Sequence, residues 1–575
     1  MGYLQKFEKW LNSGALSREE KDELFSLVGN KTKIEERFYA PLEFGTAGLR
    51  GVMGLGLHRM NLHVVRHVTQ AFANLIAGEG AEACRAGVAI CYDCRHHSAE
   101  YARETACVLA ANGIRARLFD SMRPTPELSF AIREYGCTAG INITASHNPR
   151  EYNGYKVYWS DGAQLPPRHA AVVSAEMERI DIFTGVHTMP YEETLAGGLI
   201  TLMGAETDEA FLSRILSLSV NRSAVQKMAD TFKVVYTPFH GAGRLLVPEA
   251  LKRLGVRHVL CVPEQMTPDG DFPTVVSPNP EEKAGFALAV ALAQAQDVDL
   301  IIGTDPDADR MGLMLRDRAG DYVTLSGNQV GVLLLDYLIR AGREAGTLPP
   351  NAAAVKTIVT TEMARAVGEK NGVAVFDTFT GFKFMAEKIK DFEETGDFRY
   401  ILAYEESYGY LIGDHARDKD AVGASMLVAE MACWYAARGM TLYDAMEALY
   451  ETYGHYAELT LNLVMPGLAG LANMQALMQG LREASPAEIA GTPVLAVRDY
   501  LSGERRDLLT GSAEPMELRD SNVLYFELLD DTRFIVRPSG TEPKIKVYIL
   551  ARGEDRTDAA RKLDMYRAYA EGLKG

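Results

Sequence analysis

The chain reads as an α/β protein: three consecutive α/β domains with mixed sheets, then a smaller C-terminal α+β domain, placed around a central cleft. Three observations predict this. Apolar, β-branched runs alternate with helical patterns, and the alternation recurs three times before residue 456, which implies parallel or mixed sheets with covered faces. Beyond residue 456 short strands follow one another and a single helix closes the chain. A length of 575 residues suggests roughly four domains at about 150 residues each. The boundaries fall at 1–205, 206–324, 325–455 and 456–575.

In chain order, Leu4, Phe7 and Leu11 recur at helical spacing among charges, the pattern of a surface helix. The stretch has neither the apolar core nor the cleavage site of a signal peptide. Ser17 with Glu20 forms a capping box that opens a helix over 17–28. A glycine-dense run from Gly45 to Gly56 contains Arg50 and has the composition of a loop that approaches a ligand closely. A helix over 63–77, a strand GVAICYD, a helix around 98–112 and a strand near 114–119 follow. The second round begins with a strand near 231–237 and continues through PFHGAG and a helix to Gly255. A strand over 257–262, a helix over 281–295 and the strand VDLIIGT complete it. The third runs through a helix over 327–341, AAAVKTIVT, a helix from 362, VAVFDT and YILAYEES. After them come TLNLVMP, SNVLYFELLD, TRFIVRPSG and KIKVYILAR, with a closing helix over 556–573. Residues 465–520 carry little periodic signal.

Composition narrows the function. With 47% apolar and 24% charged residues the chain is ordinary globular material. A net charge of −17 argues against a general nucleic-acid or acidic-membrane binder, while leaving room for an anionic small substrate in a local basic pocket. The longest apolar run, Phe286 to Ala293, is too short to span a bilayer. Seven cysteines, an odd number, point to reduced thiols and a cytoplasmic location. Cys91 and Cys94 form a CxxC without a second pair, and read as structural thiols on a strand running into a loop.

Four loops carry chemistry. In Thr144-Ala145-Ser146-His147-Asn148-Pro149 a serine follows a β-branched run, flanked by His147 and Lys156, and is placed like a nucleophile or phosphoryl carrier. In Gly303-Thr304-Asp305-Pro306-Asp307-Ala308-Asp309-Arg310 three aspartates follow the apolar strand VDLII, where open α/β sheets place ligands. Alternate residues of an extended backbone face one way, so the three carboxylates converge, and a hard divalent cation relieves their repulsion. An EF-hand is excluded, because its sixth and twelfth loop positions hold Arg310 and Arg316 rather than glycine and glutamate. A phosphatase with a nucleophilic aspartate remains an alternative. In Arg537-Pro538-Ser539-Gly540-Thr541-Glu542-Pro543 a guanidinium, two hydroxyls and a glycine turn make a phosphate cradle without a Walker lysine. Glu405 and Glu406 beside Ser407 suit polyol hydroxyls, with Thr380, Gly381 and Lys383 upstream.

Taken in order, TASHNP, GTDPDADR, EESYG and RPSGTEP resemble the phosphoserine, metal, sugar and phosphate loops of the α-D-phosphohexomutase family. FGTAGLRG and TGFK look like the branch containing phosphoglucomutase and phosphopentomutase. The GEMSGH sugar loop of bacterial phosphomannomutase/phosphoglucomutase is absent. The resemblance implies an isomerase (an intramolecular phosphotransferase) that interconverts glucose 1-phosphate and glucose 6-phosphate through a phosphoserine enzyme and a glucose 1,6-bisphosphate intermediate. Phosphomannomutase or phosphopentomutase activity is the alternative, followed by a metal-dependent phosphohydrolase.

Residue by residue, the resemblance implies that Ser146 carries the phosphoryl group and that Ser146, Asp305, Asp307 and Asp309 hold Mg²⁺. Arg50, His147, Lys156 and Lys419 complete the catalytic set, each lysine being either a proton acceptor or an electrostatic clamp. Arg310, Thr380, Gly381, Lys383, Glu405, Ser407, Arg537, Ser539, Gly540 and Thr541 bind substrate. The expected partners are small sugar phosphates, with no nucleic acid, membrane or obligate protein partner. His240 and His415 are expected to be structural.

Overall fold

The computed structural model describes residues 2–46, 48–465, 470–539 and 544–573. The chain divides into two compact units, Met1–Ser326 with Ser407–Gly439, and Gly327–Glu406 with Met440–Gly575.

The first unit holds two mixed sheets. One is built from β1 (Leu49–Val52), β2 (Val88–Tyr92), β3 (Ala116–Phe119), β4 (Ala139–Ile143), β5 (Tyr152–Trp159) and β6 (Ile200–Met203), in the order β1-β5-β4-β2-β3-β6. Strands β2, β3, β4 and β6 run parallel, and β5 returns antiparallel with Asn142 opposite Lys156. Because helices cover it, β4 is buried at every residue, which is why it reads as a continuous apolar run. Its core packs Ile90, Ile141 and Val157 with Val65, Val68 and Phe72 of the Leu62–Gly78 helix, each such side chain contributing about 1.5–3 kcal/mol by burial. The second sheet contains β7 (Lys233–Thr237), β8 (His258–Cys261), β9 (Leu300–Thr304), β10 (Met311–Arg316) and β11 (Tyr322–Leu325), in the order β11-β10-β9-β7-β8.

In the second unit β12 (Ala352–Thr357) lies between β13 (Ala374–Thr378) and β14 (Arg399–Tyr404), parallel to both. The short β15 (Tyr410–Leu411) falls in the first unit. The C-terminal sheet is antiparallel. It comprises β16 (His455–Val464), β17 (Glu488–Ile489), β18 (Thr492–Asp499), β19 (Glu504–Asp507), β20 (Ala513–Pro515), β21 (Leu524–Leu528), β22 (Arg533–Pro538) and β23 (Lys544–Gly553). The Arg556–Gly572 helix closes the chain.

The same topological event occurs three times. β2, β7 and β12 each have a parallel neighbour on both sides, reached by connections that leave in opposite directions. A crevice opens at the carboxyl ends of such strand pairs, where open α/β sheets bind ligands. The loops after β4, β9 and β14 carry Ser146, the aspartates and Glu405 respectively.

Several expectations are refined. The helix expected over 281–295 is a 3₁₀ turn, Lys283–Phe286, followed by an α-helix, Ala287–Gln296. The 17–28 helix ends at Phe25, with the capping box made by Ser17 and Glu20 as expected. The stretch with little signal holds a helix, Gly470–Glu483, and the strands β17 to β20. Among the described residues no helix is long and apolar enough to cross a membrane. The thiols of Cys91 and Cys94 are free, and burial raises the pKa of both.

Candidate active site

The serine loop begins where β4 ends. Ser146 adopts φ +52°, a left-handed conformation that costs a non-glycine residue energy and survives only when the surroundings enforce it. Those surroundings are visible. Thr144 Oγ1 donates to Asp93 Oδ2 at 2.7 Å and accepts the Ser146 N–H at 2.8 Å. The Arg95 guanidinium, itself buried against Asp93 at 3.3 Å, donates to the carbonyls of Ser146, Asn148, Pro149 and Tyr152. Arg50, on β1, donates to Asn148 Oδ1 at 2.9 Å. The loop is therefore held from three sides before any ligand arrives.

The aspartate loop meets it. Ser146 Oγ donates to Asp305 Oδ2 at 2.6 Å and lies 3.2 Å from His147 Nδ1. Asp305 Oδ1 accepts the N–H groups of Asp309 and Arg310 at 3.1 and 3.0 Å, which curls the loop and turns its carboxylates together. Gly241, in the PFHGAG loop after β7, backs this turn. A Cβ there would lie 2.4 Å from Pro306 Cα, so only glycine allows the approach. Arg310 Nη1 pairs with Glu281 at 3.0 Å.

Charge balance is tight. Asp305, Asp307 and Asp309 are buried and offer ligand atoms within 4.8 Å of one another. Lys156 Nζ donates to Asp307 Oδ2 at 2.6 Å and Asp309 Oδ2 at 3.2 Å, and Lys419 Nζ lies 3.3 Å from Asp309 Oδ2. Burial, reinforced by the two neighbouring carboxylates, pushes Asp305 well above the usual carboxylate range. Burial acts the same way on Asp307, but Lys156 outweighs it and holds Asp307 below that range. For Lys156 itself burial is outweighed by Asp307 and Asp309, so it stays an ammonium. Burial, with Arg310 and Arg50 nearby, keeps His147 well below the ordinary imidazole value and therefore neutral at pH 7.

The donor set fits a hard divalent cation. It consists of carboxylate oxygens with no thiolate or imidazole in the cluster, the ligand class that Mg²⁺ takes. Asp307 Oδ1 and Asp309 Oδ1 are buried and met by no hydrogen-bond donor. Oxygens in that condition are costly without a cation.

In the second unit, Gly381 has φ +112° and donates its N–H to Glu405 Oε1 at 3.1 Å, just ahead of the Phe382–Thr395 helix. Glu406 points elsewhere: its Oε2 accepts hydroxyls of Thr357 and Thr360 at 3.1 and 3.3 Å, which fixes the backbone beneath Glu405. Lys383 Nζ sits 4.8 Å over the Phe384 ring, and Thr380 is half-exposed. Arg537, on β22 opposite Lys546, is half-exposed, and the Ser539 N–H bonds the Lys544 carbonyl at 2.8 Å. Gly540 and Thr541 lie outside the described residues. Ser407 belongs to the first unit, next to Tyr408 whose carbonyl accepts the Met311 N–H.

Sequence reasoning missed four buried residues of the first unit: Thr125, which bonds Asp307, Asn142, which bonds Thr125, Arg95, and Asp418. Asp418 accepts Lys419 Nζ at 2.9 Å and the Tyr158 hydroxyl at 3.1 Å. The histidines expected to be structural are so placed, His240 between the Thr267 carbonyl and Thr274, and His415 against Asp420.

Comparison with known proteins yields matches along most of the chain. Family models described as phosphoglucomutase/phosphomannomutase alpha/beta/alpha domains I, II and III match residues 41–182, 209–320 and 326–453, and the C-terminal domain model matches 504–567. A phosphoglucomutase of Staphylococcus saprophyticus is 36% identical over 538 residues, covering 93% of this chain and 95% of that protein. Among solved structures, a phosphoglucomutase/phosphomannomutase family protein from Burkholderia thailandensis has a TM-score of 0.66 at 20% identity, covering 92% of this chain and 97% of that one. The open form of parafusin from Paramecium has a TM-score of 0.68 at 18% identity, covering 93% and 95%.

Proposed function

The chain belongs to the α-D-phosphohexomutase family and interconverts glucose 1-phosphate and glucose 6-phosphate; from that premise we propose how its residues divide the work. The observation that carries the proposal is the buried contact of Ser146 Oγ with Asp305 Oδ2 at 2.6 Å. A serine sealed against a carboxylate trio suits a phosphoryl carrier, because a serine phosphomonoester needs charge neutralisation and a positioned acceptor more than a stronger nucleophile.

In this scheme Ser146 rests as its phosphate ester. The sugar phosphate docks its own phosphate on Arg537, Ser539, Gly540 and Thr541, while Glu405, Ser407, Thr380, Gly381 and Lys383 take hydroxyls common to both orientations. The free O1 or O6 hydroxyl attacks phosphorus, a new P–O bond forms and the bond to Ser146 Oγ breaks. Lys156, an ammonium beside Asp307 and Asp309, acts as an electrostatic clamp, and the hydroxyl proton passes to Lys419. The product, glucose 1,6-bisphosphate, turns over in the site and returns its other phosphoryl group to Ser146. Mg²⁺ on Asp305, Asp307 and Asp309 supplies charge neutralisation at the transferring group when bound. Arg50 and Arg310 add fixed positive charge, and His147, being neutral, orients Ser146 Oγ.

A coupled assay tests this. Glucose 1-phosphate should yield glucose 6-phosphate, stimulated by glucose 1,6-bisphosphate, abolished by EDTA and restored by Mg²⁺. Release of inorganic phosphate in place of glucose 6-phosphate would establish the hydrolase reading instead. Mannose, glucosamine and ribose 1-phosphates in the same assay rank the substrates.

A further inference from the structure

We propose that Thr125, held by Asn142, is a positioning residue that fixes which oxygen of Asp307 is offered to the metal. The inference rests on the metal reading of the aspartate trio and adds two residues outside its motif. Thr125 opens the Thr125–Glu134 helix between Pro124 and Pro126, and it is fully buried, as are Asn142 and Asp307. It grips residue 307 twice. Its N–H donates to the Asp307 carbonyl at 2.8 Å and its hydroxyl donates to Asp307 Oδ2 at 2.7 Å. Asn142 Nδ2, on β4 four residues before Ser146, donates to Thr125 Oγ1 at 2.8 Å.

The direction of this relay follows from proton counting. A threonine hydroxyl has one proton, and an amide N–H₂ group donates without accepting. With Asn142 donating to Thr125 Oγ1, the hydroxyl proton is committed to Asp307. The opposite amide orientation would ask that one proton to serve two acceptors. Asp307 Oδ2 is then occupied by Thr125 and Lys156, and the carboxylate plane is pinned, leaving Oδ1, buried and met by no donor, as the oxygen offered to a metal. Without Thr125 the carboxylate would be free to rotate about its bond to Lys156. Through Asn142, the strand that ends in Ser146 also sets the register of the aspartate loop.

The full-length protein, freed of metal by chelation, is titrated with Mn²⁺ and free ion is followed by electron paramagnetic resonance. Thr125→Val keeps the shape and removes the hydroxyl, and should weaken Mn²⁺ binding about 10–100-fold, the usual effect of losing a group that orients a metal ligand. Thr125→Ser, which keeps donor and acceptor, should stay within about 3-fold of wild type, a small part of that range. At saturating metal, KM for glucose 1-phosphate should be unchanged in Thr125→Val. Melting curves of the metal-free proteins check folding, and Thr125→Ala replaces the valine variant should that one fail to fold. Equal Mn²⁺ affinity in wild type and the truncated variant, or equal loss in the serine variant, overturns the proposal. Failure of wild type itself to bind Mn²⁺ overturns the metal reading beneath it.

Discussion

The loops after β4 and β9 and the segments proposed to bind the sugar phosphate are finished differently. Ser146 and the three aspartates are buried to 3% exposure or less, cross-bonded by Thr144, Arg95, Thr125 and Lys156. Thr380, Lys383, Ser407, Arg537 and Ser539 stay half-exposed, while Glu405 is buried against the Gly381 N–H. The difference follows from what each loop must do. A group that passes a phosphoryl must be positioned before the substrate arrives, since a preorganised site costs no reorganisation during reaction. A group that binds sugar in two orientations has to remain open to it. The reacting groups of the first set are therefore expensive to disturb in rate and the residues that brace them in stability, and the second set in binding alone.

The sharpest way to break this contrast is Ser146→Ala, which should lower kcat by about 10⁴-fold or more, as loss of a covalent group does, with the melting temperature nearly unmoved. Arg95→Ala comes next. It leaves Asp93 buried and four loop carbonyls short of a donor, so denaturant unfolding should show a loss of about 3–5 kcal/mol. Stability within 0.5 kcal/mol of wild type, roughly the spread of an ordinary surface change, would mean the loop is not braced as described. Arg537→Ala should do the reverse. Its stability should be unchanged, while kcat/KM for glucose 1-phosphate falls about 10–100-fold, the worth of one charged hydrogen-bonding group.

The smallest effect concerns Glu458 on β16, a carboxyl that burial raises to about 7 despite help from the Thr361 hydroxyl. The folded state holds this proton where the unfolded chain has released it. Stability from this group is therefore present below about pH 4.3, the unfolded glutamate value, and is lost as pH rises toward 7. Glu458→Gln should remove that loss, giving about 1–2 kcal/mol more stability than wild type at pH 8 and little difference at pH 4. A difference of the opposite sign would show that a cation answers the carboxylate.

Much of this was legible in the sequence. Serine and aspartate motifs at the ends of apolar strands are dense local signals, and they mark the loops after β4 and β9. Arg95, Thr125 and Asn142 were not legible, because what they do depends on partners far along the chain: Thr125 and Asp307 stand 182 residues apart. The Ala421–Ala436 helix escaped for a different reason. It is buried on nearly every face, so it has no polar side to give it a period. Residues 488–515 form short, half-exposed strands whose pairing is tertiary rather than local.

In the proposed mechanism a phosphoryl group rests on Ser146 and is lent from there. Mass analysis of the intact protein after incubation with glucose 1,6-bisphosphate, followed by peptide mapping, tests it most directly. One phosphoryl group on Ser146, removed again by excess glucose 1-phosphate and absent from Ser146→Ala, is the result expected. Turnover with an unmodified Ser146, or a phosphoryl group on an aspartate of the 305–309 loop, would contradict it.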